Sequence, residues 1–243
     1  MTGRLEGKVA LISGGARGQG AAEGRLFAGE GATVYVTDVL TEGRAVAQEI
    51  GGTFFEHDVT DAGAWESITK EIVAEHGRID VLINNAGIFR IAGLNDTDQA
   101  LWDQMVAINQ TGVFLGLKAV APTMVDQQSG SIINISSIAG LRGAGMALAY
   151  GATKWAVRGM TRSLAQELAP HKVRVNSIHP GIIDTPMAAE FDRAGVRASV
   201  DERIPIGFEA SADDVAKLAL FLASDDSAYC TGSEFVVDGG MTA

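Results

Sequence analysis

Short apolar runs alternate with longer helical patterns along the whole chain, and this alternation restricts the possible folds more than any other feature. Each run is apolar throughout rather than alternately apolar and polar, which is typical of strands buried on both faces of a parallel sheet. Repeated strand–helix–strand order requires right-handed crossovers. The predicted strands are Val9–Ser13, Thr33–Asp38, Thr53–Asp58, Val81–Asn84, Ser131–Ser136, Arg174–His179 and Glu234–Val237.

The segments between these runs have helical patterns, and two of them carry start signals. Asp61 and Ser211 stand at helix starts, where their side chains can accept from free N–H groups. The predicted helices are Gly20–Gly29, Thr41–Ile50, Ala62–His76, Asp98–Val125, Tyr150–Leu168 and Ser211–Ala223. We therefore expect a single α/β domain over residues 1–243, a doubly wound parallel sheet of about seven strands with helices on both faces.

The longest stretch without a clear period runs from about residue 182 to residue 210. An irregular segment of that length in a compact domain is commonly a lid or a binding loop. Its apolar residues, among them Met187 and Phe191, stand between charged ones. We expect short helices there that close over an apolar ligand as a substrate-binding lid.

Composition excludes several classes of partner. The chain has 30 acidic and 19 basic residues and a formal net charge of −11, without the basic footprint that nucleic acids or anionic membrane surfaces require. One cysteine, Cys230, allows no internal disulfide, and the four histidines lack ligand spacing, so we predict no metal. No signal-peptide pattern and no apolar stretch of about 18 residues occurs, so we expect a cytoplasmic protein.

A glycine-rich loop, Ser-Gly-Gly-Ala-Arg-Gly-Gln-Gly over residues 13–20, follows the first strand and opens the first helix. Glycines allow close approach to a pyrophosphate, and a helix N-terminus offers unpaired N–H groups. A purely structural turn is the alternative, but the strand before and Asp38 after favour a Rossmann-type dinucleotide site. The predicted cofactor residues of the loop are Gly14, Arg17, Gly18, Gln19 and Gly20.

Asp38 closes the second strand, where its carboxylate can accept from both adenosine ribose hydroxyls and would repel a 2′-phosphate. This favours NAD over NADP, although a strand-end turn residue is the alternative. Arg17 would instead favour NADP, since its guanidinium can pair with a 2′-phosphate. With Asp38 in place, we favour a contact of Arg17 with the adenine side of the cofactor or with an acidic residue. Asp58 can accept from the adenine amino group. The other residues predicted to bind cofactor on these loops are Val39, Val59, Asn85, Ala86 and Gly87.

Tyr150 and Lys154 are four residues apart and lie on one helix face. A phenol of pKa about 10 is a weak base at neutral pH, but a neighbouring cation lowers that pKa. The spacing alone is common on helix surfaces. The other motifs of the chain make it more specific. Together with this pair, the chain resembles the short-chain dehydrogenase/reductase family over nearly its whole length, in the glycine loop, Asn84-Asn85-Ala86-Gly87, Asn109, Ser137, Tyr150-x-x-x-Lys154 and Pro180-Gly181.

The resemblance implies a role for each catalytic candidate. Tyr150 exchanges a proton with the substrate oxygen, and Ser137 donates a hydrogen bond that polarises the carbonyl. Lys154 binds the nicotinamide ribose and lowers the pKa of the phenol, and Asn109 holds a water on the proton path. Tyr150 and Lys154 thus also bind cofactor, and the segment after the sixth strand adds Pro180, Gly181, Ile183 and Thr185.

Within the family, the likeness is strongest to bacterial 3α/20β-hydroxysteroid dehydrogenases, as in Asn-Ser-Ile-His-Pro-Gly at 176–181. Two features depart from that pattern. Gln19 stands at a position that is usually apolar, and the chain ends early; the early end argues against a steroid-sized substrate. His179 we interpret as structural. The expected pocket residues are mostly apolar: Ile88, Phe89, Ile138, Ala144, Met146, Gly181, Met187 and Phe191.

These observations favour an NAD-dependent enzyme that interconverts a hydrophobic secondary alcohol and a ketone, with a steroid, cyclic or aryl substrate. Two alternatives stay open: a 3-oxoacyl-carrier-protein reductase, and an NAD-binding regulator without turnover. The family resemblance also predicts a homotetramer that pairs the helices near 98–125 and 150–168.

Overall fold

The structure, a computed structural model, describes residues 3–243. Met1 and Thr2, which begin the segment without a signal-peptide pattern, lie outside the described residues. The strands are β1 (Val9–Ser13), β2 (Thr33–Asp38), β3 (Thr53–Glu56), β4 (Val81–Asn84), β5 (Gly130–Ile135), β6 (Val173–Pro180), β7 (Ile183–Asp184), β8 (Ala210–Ser211) and β9 (Glu234–Val237). Seven of them form one parallel sheet in the order β3-β2-β1-β4-β5-β6-β9. The predicted doubly wound sheet is confirmed.

Helices cover both faces of this sheet. They are α1 (Gly18–Gly29), α2 (Gly43–Ile50), α3 (Ala62–His76), α4 (Gln99–Val106), α5 (Gly112–Gln127), α6 (Leu148–Leu168), α7 (Ala189–Arg193), α8 (Arg197–Asp201) and α9 (Ala212–Ala223). The Asp61 side chain accepts from the N–H of Ala64 at 3.1 Å and so begins α3 as predicted. Ser211 and Asp214 form a capping box at the start of α9.

Two separate cores explain why the strands are apolar throughout. Successive residues of a strand point to opposite faces of the sheet. In β1, Val9 and Leu11 enter the core beneath α3, α5 and α6, whereas Ala10 and Ile12 enter the core beneath α1, α2 and α9. Both faces of the central strands are therefore buried.

The strand order reverses direction between β1 and β4. The chain leaves β1 toward β2 on one side and leaves β4 toward β5 on the other, so the carboxyl ends of these two neighbours open a crevice. Ligands of doubly wound sheets bind at such a point. The glycine loop and residues 85–87 both lie at this edge.

Most predicted bounds agree with the structure to within two residues, but one predicted helix is divided and one predicted strand ends early. A π-helical turn, Ala107–Thr111, divides the single helix expected over 98–125 into α4 and α5. The third strand ends at Glu56 rather than Asp58, because Asp58 Oδ1 accepts from both N–H and hydroxyl of Thr60 (2.9 and 2.8 Å) and turns the chain.

The segment from about 182 to 210 contains the short helices α7 and α8, as expected. Strands β7 and β8 pair with each other at its two ends. None of the helices in residues 3–243 combines the length and apolar character needed to cross a membrane.

Candidate active site

The glycine loop is shaped by contacts that only glycine permits. Gly14 and Gly18 have φ of +71° and +58°, in the left-handed region. A Cβ on Gly20 would lie 2.3 Å from the carbonyl oxygen of Gly14 and 2.6 Å from Nδ2 of Asn85. The loop thus presents bare backbone at the N-terminus of α1, which fits the pyrophosphate of a dinucleotide.

Two further side chains of this loop fit the same kind of ligand. Gln19 Oε1 is buried and has no hydrogen-bond partner within residues 3–243. Such an orphaned acceptor matches a ligand that brings hydroxyl donors, as the riboses of a dinucleotide do. Arg17 is exposed at the N-cap of α1.

Asp38 ties the end of β2 to the glycine loop. Its Oδ2 accepts from the N–H of Ala16 at 3.1 Å, and its Oδ1 accepts from the N–H of Leu40 at 3.0 Å. An ionised carboxylate has about four acceptor positions, so both oxygens can still accept from hydroxyls. Val39, 58% exposed, adds an apolar surface beside the carboxylate.

Asp58 and Val59 differ in what they offer to a ligand. Asp58 is exposed, with Oδ1 engaged in its own turn. The Val59 side chain is buried against α5, and its carbonyl oxygen accepts from the indole N–H of Trp65 at 3.0 Å. The side chain and the carbonyl oxygen of Val59 therefore both contact the protein interior. Only its N–H group is left for the predicted contact with the cofactor.

Residues 85–87 connect the nucleotide end of the crevice to the catalytic end. Asn85 Nδ2 donates to the carbonyl oxygens of Ser13 and Gly14 at 3.0 and 3.1 Å, so its amide holds the loop. The Ala86 N–H donates to Ser13 Oγ at 3.2 Å. A Cβ on Gly87 would lie 3.7 Å from Lys154 Nζ. The backbone of this segment consequently runs directly beside the catalytic candidates.

The first two turns of α6 bring Tyr150 and Lys154 together as the spacing predicts. Lys154 Nζ lies 5.6 Å from the centroid of the Tyr150 ring and donates to the carbonyl oxygen of Ile135 at 2.8 Å. Ser137 ends the extended chain after β5 and caps a short 3-10 turn, with its Oγ accepting from the Ala139 N–H at 3.1 Å. The hydroxyl proton of Ser137 is not used by this turn and hydrogen-bonds Tyr150.

Burial governs the protonation of this pair. Burial raises the pKa of Tyr150 above its usual 10, and the hydrogen bond with Ser137 acts in the opposite direction. This is opposite to the lowering that the sequence predicts, because desolvation of the phenol outweighs the stabilisation of a phenolate. Burial also lowers the pKa of Lys154 from 10.5 to about 8. The ammonium is still the major form at neutral pH.

Asn109 lies in the π-helical turn and is fully buried. Its Oδ1 accepts from the N–H of Ile88 and its Nδ2 donates to the carbonyl oxygen of Ile88, both at 2.8 Å. The side chain thereby secures the loop that follows β4. A π-turn widens a helix by one residue and often marks a functional position. A water on the proton path would have to use the remaining acceptor positions of Asn109.

The segment after β6 reaches back to the glycine loop. Pro180 ends β6, and the Gly181 N–H donates to the Val237 carbonyl oxygen at 2.9 Å. Ile183 is buried in β7. A Cβ on Gly18 would lie 3.6 Å from the Cβ of Thr185. The predicted nicotinamide segment therefore borders the predicted pyrophosphate loop.

An aromatic cluster from two segments begins at Tyr150. The Phe89 ring lies 4.8 Å from the Tyr150 ring, edge to face, and 5.3 Å from the Phe191 ring of α7. The sequence interpretation missed Glu190, a buried carboxylate that accepts from the Ile91 N–H at 3.2 Å and so ties α7 to the loop after β4. The lid stretch carries several acids, so the sequence offered no signal that singled this one out.

Comparisons with known proteins agree with this geometry. The family model described as "Enoyl-(Acyl carrier protein) reductase" matches residues 14–242. The chain is 46% identical to a 3-alpha-(or 20-beta)-hydroxysteroid dehydrogenase of Mycobacterium bovis, covering 100% of this chain and 92% of that one. It is 44% identical to a trans-4-hydroxycyclohexanecarboxylate dehydrogenase of Sinomonas cyclohexanicum (99% and 95%). The crystal structure of levodione reductase superposes with a TM-score of 0.91 at 34% identity, covering 97% of this chain and 98% of that one.

Proposed function

This chain belongs to the short-chain dehydrogenase/reductase family, and from that membership we propose that it interconverts a hydrophobic secondary alcohol and its ketone with NAD(H). The enzyme is an oxidoreductase that uses a nicotinamide cofactor. The observation that carries the finer proposal is the half-buried Tyr150 phenol, which lies beside Ser137 and Lys154 and against the ring of Phe89.

The protein supplies positioning and proton transfer. Ser137 accepts from the Ala139 N–H at its Oγ and donates its hydroxyl proton to the substrate oxygen beside Tyr150, with which it also hydrogen-bonds. Tyr150 holds its proton at neutral pH and gives it to the oxygen of a ketone; in the oxidative direction it takes the proton from the alcohol. The nicotinamide, when bound, supplies or accepts the hydride. The ammonium of Lys154 provides the positive charge next to these groups.

Asp38 supports NAD rather than NADP. The carboxylate is anchored to the Ala16 and Leu40 N–H groups next to the loop, so a 2′-phosphate placed there would meet a fixed negative charge. Arg17 is exposed and can turn toward solvent. We expect Asp38→Ala to lose most of the preference for NAD in parallel measurements of kcat/KM; an unchanged preference would contradict the assignment.

The apolar cover supports a cyclic or steroidal substrate. Phe89 and Phe191 form an aromatic wall beside the reacting phenol, and the segment 182–210 acts as a lid that Glu190 holds against the loop after β4. The relatives named above act, by their names, on a cyclohexane derivative and on hydroxysteroids. Carrier-protein reduction is the second candidate, favoured by the name of the family model. It is weakened by Asp38 and by the net charge of −11, which repels an acidic carrier. Membership among dehydrogenases removes the third, a regulator without turnover.

The decisive experiment is a screen by NADH absorbance. Steroids, cyclic alcohols and aryl carbinols are offered with NAD, and acyl thioesters with NADH or NADPH. We expect oxidation of apolar cyclic alcohols; turnover of the thioesters alone would select the second candidate. Tyr150→Phe should abolish turnover and leave NADH fluorescence titration intact. Tyr229→Phe is the matched control, since Tyr229 is fully exposed. Full activity of the Tyr150 variant would refute the mechanism.

We further propose a homotetramer. Trp102 of α4, Phe114 of α5 and Trp155 of α6 are 37%, 49% and 46% exposed, although large aromatic side chains are commonly buried. All three lie on the helices that the family resemblance pairs between subunits. Light scattering after gel filtration tests this state, and a monomer at micromolar concentration would contradict it.

A further inference from the structure

His179 is a fully buried imidazole at the end of β6, and the mechanism above makes no use of it. Its Nδ1 lies 2.9 Å from the carbonyl oxygen of Ser137, and its Nε2 lies 2.9 Å from Oγ of Ser177. Ser177 and His179 are two residues apart in one strand, so their side chains project from the same face of the sheet. The ring therefore bridges the sheet and the residue that carries the catalytic hydroxyl.

These two contacts determine the tautomer of His179. A carbonyl oxygen only accepts, so the Nδ1 facing Ser137 must carry a proton. Burial lowers the pKa of His179 below its usual 6.5. The hydrogen bond to the Ser137 carbonyl and the Glu234 carboxylate oppose this shift, and the Arg158 and Lys154 cations add to it. The ring is then neutral at pH 7, and its bare Nε2 accepts from the Ser177 hydroxyl. The chain of donors runs from Ser177 through His179 to Ser137.

Ser136 is tied to β6 by its N–H, which donates to the Ile178 carbonyl oxygen at 2.8 Å, but the other hydrogen bonds that Ser137 itself makes to the main chain of residues 3–243 are local. Its Oγ accepts from Ala139, and its carbonyl oxygen also accepts from the Gly140 N–H at 2.9 Å. Both of these donors belong to the same short turn, Ile138–Gly140, and would move with it. The bond from His179 is the one that attaches the Ser137 carbonyl to the sheet.

We propose that His179 is a positioning residue for Ser137: its Nδ1–H, oriented by the Ser177 hydroxyl, holds the main chain of Ser137 so that the catalytic hydroxyl meets the substrate oxygen. This inference rests on the role of Ser137 in the proposed function. A displacement of about 1 Å at a reacting group can lower the rate as much as about 100-fold.

Two amide replacements separate positioning from general packing. In His179→Asn the side-chain amide takes the place of Nδ1 and can still donate to Ser137. In His179→Gln the amide takes the place of Nε2, and the donor to Ser137 is lost. We expect kcat to fall about 10- to 100-fold for His179→Gln and only a few-fold for His179→Asn, with the KM for NAD and the NADH dissociation constant unchanged. Ser177→Ala should give a smaller loss.

A double-mutant cycle with Ser137→Ala provides the stricter readout. Once the hydroxyl is gone, its placement no longer matters, so His179→Gln should lower the residual kcat by less than about twofold in that background. His57→Gln is the matched control for loss of a buried imidazole, since the His57 ring is 3% exposed and, within residues 3–243, hydrogen-bonds only Thr37 Oγ1 through Nδ1. It should lower the melting temperature without lowering kcat at saturating cofactor.

The outcomes distinguish failure of this inference from failure of the proposed function. Full activity of Ser137→Ala would refute the role of Ser137 itself. An inactive Ser137→Ala combined with a fully active His179→Gln would refute positioning by His179 alone. Equal losses for His179→Gln in both backgrounds, or equal losses for the Asn and Gln variants, would assign His179 to folding only and also overturn the inference.

Discussion

Replacing Lys154 by methionine tests the electrostatic cost of the catalytic site. The ammonium is 4% exposed, takes part in no ion pair within residues 3–243, and has one hydrogen bond, to the Ile135 carbonyl oxygen. A fall in its pKa from 10.5 to about 8 corresponds to about 3 kcal/mol of lost folding stability at neutral pH. Methionine keeps the apolar stem and removes the charge, but it leaves the Ile135 oxygen unpaired, which costs about 1 kcal/mol. We expect Lys154→Met to be inactive and about 2 kcal/mol more stable at pH 7.

The sign of the pH dependence follows from the direction of the pKa change. Between pH 8 and 10.5 the unfolded chain holds the proton that the folded protein has released. Wild-type stability therefore rises with pH in that window relative to the variant, and the destabilisation is complete below pH 8. Above the window only the unpaired Ile135 oxygen remains, so the variant should become the less stable protein by about 1 kcal/mol.

Urea unfolding of both proteins without cofactor, at one protein concentration and at intervals from pH 7 to pH 10, measures this difference. Other titrating groups are shared by the two proteins and cancel in the comparison. Lys217→Met is the control, because Lys217 is exposed and its pairing with Asp214 lies on the surface. A variant that is less stable than wild type at pH 7, or an advantage that grows with pH, would refute the reasoning.

Two further substitutions probe the ends of the crevice. Gly20→Ala should weaken NADH binding at least tenfold by fluorescence titration, since its Cβ would lie 2.3 Å from a carbonyl oxygen of the glycine loop; Gly29→Ala, with nothing within 4 Å, should bind normally, and equal effects would contradict the fit of the loop. Glu190→Ala removes the acceptor of the Ile91 N–H and should raise the KM for the alcohol several-fold while NADH affinity stays unchanged. An unaltered KM would show that the lid is held by its aromatic contacts alone.

Much of the cofactor end could be predicted because its requirements are local. Gly14, Gly18 and Gly20 are needed where the chain turns with positive φ or packs backbone against backbone, and both conditions are visible as glycines after an apolar run. The position of Asp38 follows from the end of its strand. The orientations of the Asn85 and Val59 side chains were harder to predict. Whether each faces a ligand or the protein interior depends on neighbours that are distant in sequence.

The catalytic end depended more strongly on packing. The residues Tyr150 and Lys154 were predictable from their spacing, but the direction of the phenol pKa was wrong, since desolvation is a property of everything packed around the group. The π-turn at Asn109 could not be predicted from the sequence either. An extra residue in a helical turn leaves the apolar pattern of α4 and α5 nearly unchanged, while it changes which side chain points inward.

The sequence by itself determined the layered α/β architecture, the glycine loop and the tyrosine–lysine pair, because hydrophobic period, backbone freedom and helical spacing act over short stretches of chain. Only the tertiary structure decided that Phe89 packs on Tyr150 and Phe191 packs on Phe89, that Glu190 ties the lid to the loop after β4, and that desolvation raises the pKa of the phenol. It also decided that His179 reaches the main chain of Ser137, 42 residues away. Hydrogen bonds and desolvation between remote segments exist only once the sheet has brought those segments together.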